Sequence, residues 1–199
     1  LSVGSVILTY KLSTFLINSR AALIAAGLVA INPAMILYAS THGTESLFTF
    51  QILLIAWLIL RFFNQDQRNK SLIIIGILTG LAVLVRPVAI CVPIGAFGAF
   101  YIFNRDDLRN NLVKSLIVLA VSAIIISPWI LRNILVVGSP TLQTSSGVVL
   151  WISHNPEATG AFMNPPKAPG LSLGAGTMPG AGPHANEAEA NSAYTAAAI

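Results

Sequence analysis

Long apolar segments that contain almost no charge fill the chain up to Ile126. Charged residues make up only 9% of the sequence, and the mean hydropathy is +0.76. A soluble domain has roughly a quarter of its residues charged, so this chain has too few polar groups to cover a water-exposed surface. Because a helix pairs its own backbone groups inside a bilayer, we predict an all-α, polytopic transmembrane bundle of about six helices.

Proline follows a polar residue at several places where an apolar segment stops. These steps are Asn32 with Pro33, Arg86 with Pro87, and Ser127 with Pro128. Proline disfavours helix both at its own position and at the preceding residue, so each step predicts the end of a helix. We interpret residues 32–45 as a loop, and residues 72–103 as two short helices that meet at a bend.

The third of these steps predicts where the membrane region ends. Trp129 and Arg132 follow it, and these residue types are typical of the level of the lipid headgroups. We therefore predict a transmembrane region over residues 1–133. Residues 134–199 are predicted to be an extracytoplasmic loop region, in which a further helix begins near Asn186 after a long segment rich in glycine and proline.

The basic residues are divided unequally between the two sets of helix ends. The larger set is Lys11, Arg20, Arg61, Arg68, Lys70, Arg105, Arg109 and Lys114, and the smaller set is Arg86, Arg132 and Lys167. The positive-inside rule places the larger set in the cytoplasm, and therefore the unusual polar residues on the outer face. Since the basic residues are scattered singly, we predict no binding of nucleic acid.

Three residues of the predicted outer face could take part in chemistry. Glu45 at a helix start is either a catalytic carboxylate in an outer cavity or a charge that stabilises the helix N-terminus. His42 either joins it or is a solvated loop residue. Arg86 either binds a phosphate with its planar fork, extends to the lipid headgroups, or pairs with Glu45 to hold the helices in place.

Arg132 likewise either binds a phosphate or extends to the lipid headgroups. Two arginines and one glutamate on one face of the membrane indicate a site for an anionic substrate. The histidines His42, His154 and His184 lie far apart and do not have the spacing of metal ligands. We predict no cofactor.

Several segments, taken in their order and spacing, resemble a known family. They are residues 33–48, residues 76–87 with the Arg86 and Pro87 step, residues 128–140, and residues 150–160. Together these segments are similar to the polyprenyl-phosphate-sugar-dependent membrane glycosyltransferases of the C-type (GT-C) superfamily. That superfamily includes protein mannosyltransferases and aminoarabinose transferases.

The resemblance implies a multi-pass enzyme of the bacterial plasma (inner) membrane with an extracytoplasmic active site. It implies a polyprenyl-phosphate sugar as the donor, and a glycan, a lipid or a protein as the acceptor. In such enzymes a carboxylate activates the acceptor hydroxyl, and the anomeric carbon is inverted.

The resemblance also assigns residues. The carboxylate that usually acts as the general base in the family lies in an outer loop that would precede Leu1, so the stretch is expected to be an internal fragment that is inactive alone. Glu45 matches a second acidic position of the pattern, and Arg86 matches its arginine-proline step. The further substrate-binding residues that we predict are His42, Arg132, Asn133, Trp151 and Asn155.

Two other functions fit the same composition. A transporter or flippase of lipid-linked saccharides would also have broken helices and charges at membrane depth. Such proteins more often show inverted repeats and charges in mid-span, whereas here the charges lie at helix ends and no repeat is visible. The other possibility is a non-catalytic scaffold subunit of an envelope complex.

Overall fold

The computed structural model describes residues 1–40, 43–65, 69–103, 108–154, 158 and 187–198. Its regular structure in these ranges is entirely helical, which confirms the all-α class. The elements are α1 (Ser2–Leu16), α2 (Ser19–Ala30), α3 (Pro33–Ser40), α4 (Glu45–Gln65), α5 (Asn69–Val85), a 3₁₀-helix (Pro87–Cys91), α6 (Val92–Phe103), α7 (Leu108–Val137), α8 (Ser146–His154) and α9 (Glu187–Ala198). The described α-helices outnumber the predicted six or so, partly because α3 and α8 form where the sequence predicts loops.

Two of the described helices are long and apolar enough to cross a membrane. They are Glu45–Phe63, the greater part of α4, and Leu108–Val137, the whole of α7. Helices α2 and α3 meet at an angle of 51° and make a third span if the bent pair is counted as one. The remaining apolar helices, over Lys70–Val85 and Pro87–Ile102, are shorter. These lengths and compositions are those of a multi-pass integral membrane protein.

The step at Asn32 and Pro33 bends the chain, but the predicted loop after it is wrong over residues 33–40. Those residues form α3. Asn32 Oδ1 accepts hydrogen bonds from the backbone N–H groups of Ala34 and Met35, at 2.9 and 3.2 Å. Asparagine is a good N-cap and proline is favoured in the first turn of a helix, so the same two residues that end α2 start α3.

The predicted break at Arg86 and Pro87 is confirmed. Helix α5 ends at Val85, and Arg86 has extended backbone angles, with φ −145° and ψ 118°. The ring of Pro87 disfavours helical angles at the residue before it, which explains this geometry. A 3₁₀-helix then leads into α6, so Arg86 lies at an interruption between two apolar helices.

The prediction that a helix ends at Ser127 and Pro128 is wrong. Helix α7 continues through Pro128 to Val137. Proline lacks the N–H that would bond the carbonyl of Ile124, but the Ser127 hydroxyl donates to that carbonyl at 2.9 Å. The helix ends instead before Gly138, whose positive φ of 77° suits a residue without a Cβ.

The chain divides into two compact units, Leu1–Ser127 and Pro128–Ile199, so the division falls within α7. In the first unit, α5 and α7 approach closely. Ser122 Oγ on α7 donates to the Gly76 carbonyl on α5 at 3.0 Å. A Cβ added at Gly76 would lie 2.7 Å from the Val121 Cβ, and one at Gly80 would lie 2.7 Å from the Ile125 Cβ. Two glycines spaced in this way let membrane helices pack backbone against backbone.

In the second unit, α8 and α9 pack on each other, which confirms the predicted final helix. Val148, Trp151 and Tyr194 form their buried core. Asn191 Oδ1 on α9 accepts a 2.6 Å hydrogen bond from the Gly147 N–H at the start of α8. Burial raises the pKa of the Tyr194 hydroxyl, because the charged phenolate is poorly solvated there. The domain boundary after residue 133 stays a prediction.

Candidate active site

Glu45 and Arg86 contact each other, although they are 41 positions apart in the sequence. Glu45 is the first residue of α4, and Arg86 occupies the interruption after α5. The Arg86 Nη2 group donates to Glu45 Oε1 in an ion pair. Arg86 Nε donates to Thr44 Oγ1 at 3.3 Å, and the guanidinium lies 5.9 Å from the centre of the Phe48 ring. The start of α4 therefore holds the arginine on three sides.

This ion pair is accessible rather than buried. The side chains of Arg86 and Glu45 are 39% and 32% exposed. A partly exposed pair of this kind typically contributes only about 0–1 kcal/mol to stability. A guanidinium also has more N–H donors than the contacts with Thr44 and Glu45 use, and its planar fork matches a phosphate. The arrangement is therefore suited to binding an anion, and it adds little to the stability of the fold.

The contact decides one of the alternatives that the sequence left open for Arg86. The residue does pair with Glu45, but a pairing of this strength is compatible with a further role in binding. Glu45 also lies where the positive end of the α4 dipole stabilises a carboxylate. That Glu45 is the catalytic carboxylate stays a prediction, and so does phosphate binding by Arg86.

An apolar cavity of about 260 Å³ lies within the first unit, close to Glu45 in the chain. The sequence reading missed this cavity, since it forms only where four helices meet. Ser46 and Thr49, which follow Glu45 on α4, contribute polar atoms to it. The other lining residues are Ser2, Val3, Ser5, Val6, Val29, Ala30, Met35, Ile36 and Ala39. Small side chains at most of these positions leave the space open.

The residues predicted at the end of α7 form a separate hydrogen-bonded group in the second unit. Arg132 Nη1 donates to Asn133 Oδ1 at 2.9 Å, and Asn133 Nδ2 donates to the Thr141 carbonyl at 2.7 Å. Asn133 is only 3% exposed. The Arg132 guanidinium lies 5.2 Å from the centre of the Trp129 ring, and Trp129 Nε1 donates to the Leu142 carbonyl at 3.2 Å. These hydrogen bonds hold the segment that follows α7 against the end of that helix.

The other predicted substrate-binding residues are placed as follows. Trp151 is 6% exposed and packs in the core between α8 and α9. His42 and Asn155 lie outside the described residues. No cluster of His, Cys, Asp or Glu that could hold a metal ion occurs among the residues that the structure describes. The structure thus joins Glu45 with Arg86 in one unit, and Arg132 with Asn133 in the other.

Comparison with known families decides the class of the protein. The family model for dolichyl-phosphate-mannose-protein mannosyltransferase matches residues 1–131, well over half of the chain. The chain belongs to this family. The predicted resemblance to GT-C membrane glycosyltransferases is thereby confirmed. No curated protein and no solved structure matched the chain.

The range that matches the mannosyltransferase family separates the candidate residues. Glu45 and Arg86 lie inside it, as do the four helices that line the apolar cavity. Arg132, Asn133 and Trp151 follow the matched range. The family assignment therefore bears on the Glu45 and Arg86 pair and not on the group at the end of α7.

Proposed function

We propose that this protein transfers a sugar from a polyprenyl-phosphate-linked donor to an acceptor hydroxyl on the extracytoplasmic face of a bacterial plasma membrane. The observation that carries the proposal is the Glu45 and Arg86 ion pair, which lies at a helix interruption inside the range that matches the mannosyltransferase family. The family description favours mannose as the sugar and a protein as the acceptor. A glycan or a lipid acceptor would use the same chemistry.

In the proposed reaction the acceptor oxygen forms a bond to the anomeric carbon of the sugar. The bond from that carbon to the phosphate oxygen breaks, and its electron pair leaves with the polyprenyl phosphate. The acceptor proton passes to a carboxylate. Negative charge grows on the phosphate as the bond breaks, so a guanidinium within hydrogen-bond distance stabilises the transition state more than the ground state. We assign this role to Arg86.

The contacts of Arg86 support that assignment. Thr44 and Glu45 accept hydrogen bonds from two of its nitrogens, and the centre of the Phe48 ring lies 5.9 Å from its guanidinium. A side chain held in this way loses less conformational entropy when it binds a ligand. Glu45 would then position Arg86, and it is also the carboxylate of the described site that could accept the acceptor proton.

The apolar cavity could hold the lipid part of the donor. Ser46 and Thr49 line it, and these residues lie within the first turns of α4 after Glu45. A polyprenyl phosphate needs an anion site next to an apolar one, because its headgroup and its tail differ in polarity. We propose that the prenyl units nearest the phosphate enter this cavity while Arg86 binds the headgroup.

The full-length protein in liposomes should transfer radiolabelled mannose from polyprenyl-phosphate mannose to a protein or glycan acceptor. A nucleotide-linked mannose should give no transfer, since it lacks the lipid that the cavity would bind. Product is measured by scintillation counting after extraction of the lipid donor. Movement of the donor across the bilayer without any sugar transfer would contradict the proposal and would indicate a flippase.

We expect the segment between α4 and α5 to face the cytoplasm, because the basic residues Arg61, Arg68 and Lys70 lie in it or beside it. In a Cys91→Ser background, Gln67→Cys should resist a membrane-impermeant thiol reagent in intact cells and react after permeabilisation. Ser40→Cys, at the end of α3, should react in intact cells. The reverse pattern would place the Glu45 and Arg86 site on the cytoplasmic side.

A further inference from the structure

Trp57 has two cationic side chains against its ring. Lys11 Nζ, from α1, lies 5.0 Å from the centre of the indole ring, and the Arg61 guanidinium, one turn further along α4, lies 5.3 Å from it. Both distances are within the range at which the ring quadrupole attracts a cation. The side chains of Lys11 and Arg61 are exposed at the surface. Helix packing thus places two positive charges from different helices around one aromatic ring.

This cluster lies at the opposite end of α4 from the Glu45 and Arg86 pair. Arg61 follows Glu45 by more than four turns of the same helix, which corresponds to about 24 Å along the helix axis. The span Glu45–Phe63 is long enough to cross a membrane, so its two ends reach opposite interfaces. Tryptophan, lysine and arginine together are typical of the depth at which lipid headgroups lie.

Two cationic side chains beside one ring are suited to contact the same phosphate group. Three observations favour a lipid as the source of the anion. The cluster lies at the end of a candidate span, α1 carries large apolar side chains that are exposed beside Lys11, and the lysine and arginine stems are long enough to converge on one phosphate. The exposed apolar residues of α1 include Ile7, Phe15 and Leu16. Such a surface suits acyl chains that lie alongside the helix.

We propose that Lys11, Trp57 and Arg61 form a binding site for the phosphodiester headgroup of an anionic phospholipid such as phosphatidylglycerol. The cations pair with the phosphate, and the indole holds both in position while it packs against the upper part of an acyl chain. This site is independent of the proposed sugar transfer, because it uses other residues at the other end of α4. It would anchor α1 and α4 at the leaflet that the basic residues face.

Titration of the purified full-length protein with phosphatidylglycerol, followed by native mass spectrometry, tests the site. Lys11→Gln and Arg61→Gln should each raise the dissociation constant of the tightest bound lipid about fivefold, as expected for the loss of one cation near a membrane surface. Lys11→Arg should keep the affinity near that of the wild type, since it keeps the charge. Arg20→Gln is the matched control, because Arg20 is an exposed arginine in the first turn of α2 that belongs to the same basic set.

Two results would overturn the proposal. One is an equal change in affinity for Arg20→Gln and for the Lys11 and Arg61 variants, which would show only a general effect of net charge. The other is displacement of phosphatidylglycerol by inorganic phosphate at equal concentration, which would show a site for free phosphate. Phosphatidylcholine titrated in parallel should bind more weakly than phosphatidylglycerol and differ less between variants, because its choline cation offsets the charge of its phosphate. If Trp57→Leu reduces the yield of folded protein, Trp57→Phe keeps an aromatic ring and should retain most of the affinity.

Discussion

Lysine in place of Arg86 should lower the rate of sugar transfer about a hundredfold or more, which corresponds to a few kcal/mol in the transition state. Lysine keeps the positive charge but has no planar fork, so it cannot bind a phosphate through two parallel N–H groups. Folding should change little, since the ion pair with Glu45 is partly exposed and contributes about 0–1 kcal/mol. Initial rates at low donor concentration, together with the yield of folded protein, measure the two effects separately.

The matched control for this experiment is Arg20→Lys, which changes an exposed arginine away from the candidate site. Near-normal transfer by both Arg86→Lys and Arg86→Gln would show that Arg86 only holds the helices in place. The double variant with Glu45→Gln separates the two roles of the glutamate. If Glu45 acts only by positioning Arg86, its loss should cost little more in the Arg86→Lys background. An additional large loss would indicate that Glu45 takes the acceptor proton.

Leucine in place of Gly80 should destabilise the protein by about 3 kcal/mol, the upper part of the range for overpacking a tight interface. A Cβ at this position would lie 2.7 Å from the Ile125 Cβ and 3.0 Å from the Ser122 carbonyl oxygen. The backbone oxygen cannot move aside without moving α7. Separation of the two helices would also lengthen the 3.0 Å hydrogen bond from Ser122 Oγ to the Gly76 carbonyl. Thermal unfolding of the purified protein in detergent measures the loss.

Gly27 supplies a control in the same unit. A Cβ added at Gly27 has no neighbour within 4 Å, so Gly27→Leu should not lower the unfolding midpoint and should raise it slightly through helix propensity. Alanine substitutions at Gly27 and at Gly80 should change the stability of the protein in opposite directions. Gly27→Ala should gain up to about 1 kcal/mol from helix propensity, whereas Gly80→Ala should lose stability through the short contact. Equal effects at both glycines would show that the close approach of α5 and α7 does not limit stability.

Much of the architecture was predictable from local chemistry. The apolar runs indicated helices in a membrane, because only helices pair every backbone group within one segment. The break at Arg86 was predictable since the proline ring acts on the residue next to it. The acidic residues Glu187 and Glu189 indicated the start of α9 for a similarly local reason, the field at a helix N-terminus. The family resemblance was visible in the order of the same short segments.

The path of α7 shows where local rules failed. Pro128 predicted a helix end, but helix ends depend on whether the freed carbonyl finds another donor. The Ser127 hydroxyl supplies that donor to Ile124, and the helix continues to Val137. The prediction for residues 33–40 is wrong in the opposite direction, since a helix forms where a loop is predicted. The pattern at Asn32 and Pro33 predicts the start of a loop, although the same residue types also cap and open a helix.

The sequence by itself determined the helical class and two of the three predicted helix breaks, because each depends on residues within a few positions of one another. It also indicated the family, through the order and spacing of several short segments. Only the tertiary structure brought Arg86 to Glu45, and Lys11 to Trp57 and Arg61. Those contacts join residues from different helices. They depend on which helix faces pack together, and a period of apolar residues does not specify a partner when lipid is as apolar as the neighbouring helix.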